Sequence, residues 1–222
     1  MGCADGPGVR SVVFFQGCPL HCPYCHNPET QSFTGGEEIS ADDLAKKILR
    51  YSPYFGADGG VTLSGGEPLM QREFAEELLI KCKANNLHTA LDTAGISHGG
   101  AVLEHTDLVL CDLKFATDAL YRQYTGGSLE AVLSFLEETA KKEIPLWIRH
   151  VVVPGLTDED IDEIVKIAME FPNLQKLQLL PFRKICAHKY EELSRPFPLA
   201  DTPACGKELI EKLNQKIPMH LR

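Results

Sequence analysis

One repeated alternation narrows the fold of this chain more than any other feature. Short apolar runs rich in β-branched residues take turns with longer segments of helical periodicity. VRSVVFF (9–15), GVTLS (60–64), HTALDT (88–93), DLVLCDLK (107–114), PLWIRHVVV (145–153) and KLQLLPF (176–182) read as strands. SADDLAKKILRYSPYF (40–55), QREFAEELLIKCKANN (71–86), SLEAVLSFLEETAKKE (128–143) and DEDIDEIVKIAMEF (158–171) read as helices, and 203–216 as a last one. Ser40 with Asp43 makes a capping-box-like start, and Thr157 is the expected N-cap of the helix after it. Six such β/α alternations predict an α/β fold with a parallel sheet and helices outside it. The near-continuous apolar strands fit a sheet buried on both faces. Right-handed crossovers would curl that sheet into an open or partial barrel. No repeat, low-complexity run or linker divides the chain, so one domain over 1–222 is expected. Sites in barrels gather in the loops that follow the strands. The polar stretches QGC, SGGEP, LDTAG, DLK, RHVVVPG and LPFRK all fall there.

Charge and the N-terminal sequence exclude several function classes. The chain carries 31 acidic against 22 basic side chains, a net charge of -9. That balance argues against a nucleic-acid partner, whose affinity rests on neutralising phosphates. MGCADGPGVR has no apolar signal core, and no stretch reaches the ~18 apolar residues of a membrane span. Gly6 stands where a myristoylation signal needs Ser or Thr. A cytoplasmic location without membrane attachment is expected. Thiols stay reduced there, and clustered cysteines then mean metal or catalysis rather than disulfides.

The first strand runs into CPLHCPYCHN, which sets Cys18, Cys22 and Cys25 in a C-x3-C-x2-C spacing. Three thiolates suit a [4Fe–4S] cube that leaves its fourth iron to an outside ligand. The alternative is a zinc site completed by His21 or His26. Cys3, Cys82, Cys111, Cys186 and Cys205 are scattered, and Cys82 and Cys111 fit core positions. At the end of the second strand, Gly65 and Gly66 would let a ligand approach the backbone. Glu67 follows them with a carboxylate suited to an ammonium group. At the end of the fourth strand, Lys114 of the Asp112-Leu113-Lys114 run could pair with a ligand carboxylate. An open-iron cluster beside an ammonium site and a carboxylate site describes a receptor for S-adenosylmethionine (SAM).

With these motifs the chain resembles the radical SAM superfamily, and within it the glycyl-radical-enzyme activating enzymes of the pyruvate formate-lyase type. The likeness is carried by DGPGVR (5–10), FFQGCPLHCPYCHNPET (14–30), GGVTLSGGEPLMQ (59–71), HTALDTAG (88–95), DLVLCDLK (107–114), WIRHVVVPG (147–155) and LPF…HKY (180–190). It implies a partial (β/α)6 TIM-like barrel with a [4Fe–4S] cluster at its mouth, held by Cys18, Cys22 and Cys25. It implies that Tyr24, Cys25 and His26 border the SAM, that Gly66 lies by its amino group, and that Asp112, Leu113 and Lys114 meet its polar end. Asp92 and Asp112 match positions that hold a monovalent cation beside the SAM carboxylate. Arg183 stands near the adenosine position, in LPFR where the pyruvate formate-lyase activators have a His. Asp5 and Arg149 match positions facing the glycine-bearing loop of a protein substrate. The implied activity is generation of a glycyl radical on pyruvate formate-lyase or a related enzyme under anaerobic conditions. Flavodoxin or ferredoxin would supply the electron, and the enzyme would act as a monomer. The family commonly has a short strand before DGPG, whereas here DGPG opens at the fifth residue. Between His26 and Gly59 there is no Cys. One cluster is therefore expected, without the ferredoxin-like insertion of other activating enzymes. The rival readings are a radical SAM enzyme acting on a small molecule and a zinc-binding interaction domain.

Overall fold

The structure, a computed structural model, describes residues 5–222, so Cys3 lies outside the described residues. The six expected strands form one parallel sheet: β1 (Arg10–Phe15), β2 (Gly60–Gly65), β3 (His88–Thr93), β4 (Leu108–Asp112), β5 (Leu146–Val152) and β6 (Leu174–Pro181). Their order in the sheet is their order in the chain, and β1 does not meet β6. The sheet is an open α/β barrel fragment rather than a closed cylinder. Helices α1 (Ala41–Leu49), α2 (Arg72–Ala84), α3 (Asp118–Thr125), α4 (Leu129–Lys141), α5 (Ile161–Met169), α6 (Ala187–Glu192) and α7 (Lys207–Asn214) complete it. The helix read over 40–55 is shorter, because the chain leaves α1 before a separate 3₁₀ turn at Ser52–Tyr54. Ser40 caps α1 as expected, accepting from the Asp43 N–H at 3.1 Å.

Two further expectations are corrected, and two helices are added. Thr157 does not cap α5, where Asp160 holds the N-cap position. Its hydroxyl instead donates to the Val151 carbonyl at 2.7 Å and accepts from the Val153 N–H at 2.8 Å, pinning the loop after β5. Helices α3 and α6 have no counterpart in the sequence reading. Each spans only 6 to 8 residues, too short for an apolar period to stand out. The last helix, read over 203–216, is confined to α7.

The large apolar core lies between the sheet and its helices, with Leu63, Leu91, Val109, Ile148, Leu78 and Phe135 among its buried members. The concave face holds a much smaller apolar group, Ala90, Leu108 and Leu110 with Trp147 against them. Toward the strand C-termini that face turns polar, and the site begins there.

Arg10 closes the opposite end. It is fully buried, and its Nε donates to Thr62 Oγ1 at 2.6 Å. Its terminal nitrogens donate to the carbonyls of Val61 (2.7 Å) and Pro7 (3.0 Å). Thr62 Oγ1 in turn donates to the Asp5 carbonyl at 2.7 Å. The DGPG segment crosses so closely that a Cβ on Gly8 would sit 2.5 Å from the Gly59 nitrogen, and Gly8 has φ +67. Replacing Arg10 by Leu should strand these buried acceptors. The expected loss is about 3 kcal/mol or more. A thermal melt should accordingly shift down by roughly 6–12 °C.

Candidate active site

The chain leaves β1 at Phe15 and returns by residue 31, and backbone bonds tie the neck of this loop. Gly17 N–H donates to the Thr30 carbonyl at 2.8 Å, and Cys18 N–H to the Gln31 carbonyl at 3.1 Å. Within the loop, Cys18, Cys22 and Cys25 all line one cavity of about 420 Å³. Burial pushes all three thiols up, Cys22 to about 11. Binding a metal there must release protons. Among the described residues, no three His, Cys, Asp or Glu side chains gather closely enough to hold one metal ion. His21 packs against Gly126 on the far side of the loop and is not among the cavity-lining residues. His26 lines the cavity, with Nε2 3.2 Å from the Arg183 carbonyl. A set of thiols facing one cavity without converging on a point suits a cluster, where each thiolate takes a different iron. It does not suit the single zinc of the alternative reading.

The Gly-Gly-Glu turn serves the protein before any ligand. A Cβ on Gly66 would lie 2.4 Å from the Gly17 carbonyl oxygen, and one on Gly65, at φ +98, 2.6 Å from the Phe15 nitrogen. The close approach read from these glycines is made by the chain's own backbone, although both residues also border the cavity. Gly66 N–H donates to the Phe15 carbonyl (2.8 Å) and Glu67 N–H to the Gly17 carbonyl (2.9 Å). The expectation that Glu67 meets an ammonium group is corrected. Glu67 is fully buried, and its oxygens accept from the Leu69 N–H (3.1 Å), Thr93 Oγ1 (2.7 Å) and the Ala94 N–H (2.8 Å). Burial raises its pKa while these donors oppose the rise. Glu67 thus ties the end of β2, and with it the cluster loop, to the end of β3.

A buried ion group occupies the concave face. Arg149 on β5 donates from Nε to Asp112 Oδ1 at 2.8 Å and from Nη2 to Asp92 Oδ1. Lys114 Nζ donates to Asp112 Oδ2 at 3.0 Å, and Ser64 Oγ to Asp92 Oδ2 at 2.8 Å. Burial works against a charge on Asp112, but Arg149 and then Lys114 hold its carboxyl well below the usual range. Asp92, with only a share of Arg149, is pushed up by its burial. The carboxylates expected to bracket a monovalent cation are bridged here by a guanidinium. Arg149, expected to face a substrate loop, lines the cavity and donates to both of them. Leu113 is also reassigned. Its side chain is fully buried, its N–H donates to the Arg149 carbonyl (2.9 Å), and its own carbonyl is 2.7 Å from His150 Nδ1. Asp5, Tyr24, Gly65, Gly66, Asp92, Asp112, Lys114, Arg149 and Arg183 do share the cavity with the three cysteines.

Two residues of the site receive no role in the sequence reading, although Tyr190 closes the HKY stretch. Tyr121 on α3 accepts the Lys114 N–H at 2.8 Å and so fixes the backbone beneath that ammonium. Tyr190 on α6 bonds the Cys25 carbonyl at 3.2 Å. Tyr24 borders the cavity with its hydroxyl buried and without a hydrogen-bond partner. A polar ligand in the cavity would find an ammonium with donors to spare and three thiols. The residues present therefore fit a cluster and SAM together.

The Radical SAM superfamily model matches residues 12–168. A pyruvate formate-lyase-activating enzyme of Clostridium pasteurianum is 46% identical over 220 residues, spanning 97% of this chain and 92% of that protein. The chain belongs to the radical SAM superfamily. A second protein of the same name, from Staphylococcus epidermidis, is 38% identical over 240 residues, spanning 100% of this chain and 96% of its own. Among solved structures, a domain of pyruvate-formate lyase-activating enzyme from Bacteroides vulgatus superposes with a TM-score of 0.59 at 22% identity, covering 72% of this chain and 92% of that one. Streptococcus suis SuiB bound to its precursor peptide gives 0.67 at 16% identity, covering 80% and 40%. These two likenesses bear on the fold alone. As a radical SAM enzyme, the chain takes a [4Fe–4S] cluster and SAM as cofactors.

The two readings of Glu67 predict different outcomes for Glu67→Gln. An amide presents a donor to the Ala94 N–H, and a lost charge-assisted bond costs about 1.5–3 kcal/mol. The melting temperature should fall by roughly 3–12 °C. A ligand-only role would leave the melt of cofactor-free protein unchanged.

Proposed function

We propose that this radical SAM enzyme activates a glycyl radical enzyme of the pyruvate formate-lyase type. Cys18, Cys22 and Cys25 would hold the cluster. Tyr24, Cys25, His26, Gly65, Gly66, Asp112, Lys114 and Arg183 would surround SAM, and Asp5 would stand nearest an entering glycine. The chemistry that the cofactors supply when bound is a one-electron cleavage of SAM that ends in removal of a hydrogen atom from a glycine Cα. The protein's part is to hold, orient and shield. Lys114 keeps its charge because Asp112 offsets its burial, and it has donors left for a carboxylate. Arg149 and Lys114 together balance the two carboxylates Asp92 and Asp112, so the floor of the cavity carries no net negative charge to repel an anionic group. The unclosed side between β1 and β6 gives a macromolecular loop a way in. Full-length similarity to proteins named pyruvate formate-lyase-activating enzyme carries this reading. The proposal includes flavodoxin or ferredoxin as electron donor and a monomeric enzyme.

The deciding experiment mixes anaerobically reconstituted protein, SAM and a reductant with a pyruvate formate-lyase-type partner. A glycyl doublet in the EPR spectrum is expected. No doublet with any such partner, while a small metabolite drives SAM turnover, would replace the activase reading with a small-molecule one. Cys22→Ala should lose both iron and SAM cleavage. Lys114→Met should keep its melting temperature within a few degrees, since Arg149 still holds Asp112. Its dissociation constant for SAM should rise about 10- to 100-fold, the loss of one charged hydrogen bond.

A further inference from the structure

The HKY triplet that closes the sequence likeness has no part in the cavity, yet the structure aims it at the cluster loop. Tyr190 is 2% exposed, and its hydroxyl donates to the Cys25 carbonyl at 3.2 Å. Its ring lies 4.9 Å from that of Phe197, which packs against Phe182 at the end of β6. Lys189 Nζ donates to Asn27 Oδ1 at 3.0 Å and pairs with Glu29 Oε1 at 2.5 Å. His26 closes the set through its ring contact with the Arg183 carbonyl. The four polar contacts all join residues 25–29 to residues 183–190, which lie far apart in the chain. The neck bonds and the Gly-Gly-Glu turn hold the base of the loop, His21 N–H ties its middle to the Thr125 carbonyl (3.1 Å), and α6 grips its returning arm.

We propose that Tyr190 and Lys189 are positioning residues that set the cluster loop against the wall bearing Arg183. They touch no reacting atom. Tyr190 holds the main chain at the third thiolate, and Lys189 holds the two polar side chains just after it. Their effect on SAM rests on the cofactor reading above, whereas their grip on the loop does not. A tyrosine present only to fill the core would need its ring and not its hydroxyl. A lysine present only for solubility would need neither partner. The geometry gives both polar ends a specific task.

The test uses the full chain with Tyr190→Phe, Lys189→Gln and the conservative Lys189→Arg. In cofactor-free protein, hydrogen exchange at the Cys25, Thr30 and Gln31 amides should speed up about fivefold in the first two, the factor expected for one net hydrogen bond, with partial rescue in Lys189→Arg. Amides of β3 and β4 should not change. In the reconstituted holoenzyme, iron content should stay near that of wild type. The shift of the reduced cluster's EPR signal on adding SAM should broaden, and SAM cleavage per cluster should fall about five- to tenfold. Unchanged exchange in the loop of both variants would overturn the proposal, whatever their melting temperatures. So would a wild-type EPR response to SAM in both. Should wild-type holoenzyme show no EPR response to SAM, the cofactor reading fails, and the exchange experiment still decides the clamp.

Discussion

The Arg149 guanidinium between Asp92 and Asp112 is the interaction on which the site most depends. Charged groups are costly to bury unless paired, and removing one partner leaves the other stranded. Here the pairing crosses three strands, so it also fixes how those strands align. Asp112 lies opposite Arg149 in the β4–β5 register. Because side chains alternate faces, a slip of one residue would send one of the pair toward the helices. The ion group thus penalises misregistry just where the loops of β3, β4 and β5 begin. It sits above a small apolar floor of Ala90, Leu108 and Leu110, which keeps water from screening it from below.

Glu67 does for the loops what Arg149 does for the strands. A carboxylate with no exposed surface accepts donors from its own turn and from the end of β3. Its main chain meanwhile bonds the neck of the cluster loop. The cluster loop is therefore built on a strand end already held in place, and the Lys114 ammonium stands on a backbone that Tyr121 supports from α3. Positions at the mouth inherit their precision from buried groups that touch no ligand.

Much of this was legible before the fold was known. The six strands declared themselves through runs such as VRSVVFF and HTALDT, where the β-branched residues leave little choice. Cys18, Cys22 and Cys25 were legible because their spacing is local. Glu67 was misread because the direction of its carboxylate depends on Thr93 and Ala94, which only the β2–β3 pairing brings near. The ion pairs of Arg149 are hidden from the sequence for the same reason, since its partners come from two other strands. Tyr121 gives no signal, and Tyr190 stands in the HKY likeness with no role attached to it: each sits on a helix of a few turns at most, and each acts through a single hydroxyl on a distant backbone. Local spacing survives in a sequence, whereas long-range hydrogen bonds leave no period behind.

The strands lie in the sheet in the order in which they occur in the chain. During synthesis each strand thus emerges beside an edge that its predecessor has just formed, without waiting for a later segment. The loop with Cys18, Cys22 and Cys25 is made near the beginning, and Lys189 and Tyr190, which grip its far side, near the end. Until those last residues leave the ribosome, the thiols stand at the open rim of a growing sheet. Only then is the returning arm of the cluster loop gripped from both sides, so the site built on the first strand is completed by the last part of the chain.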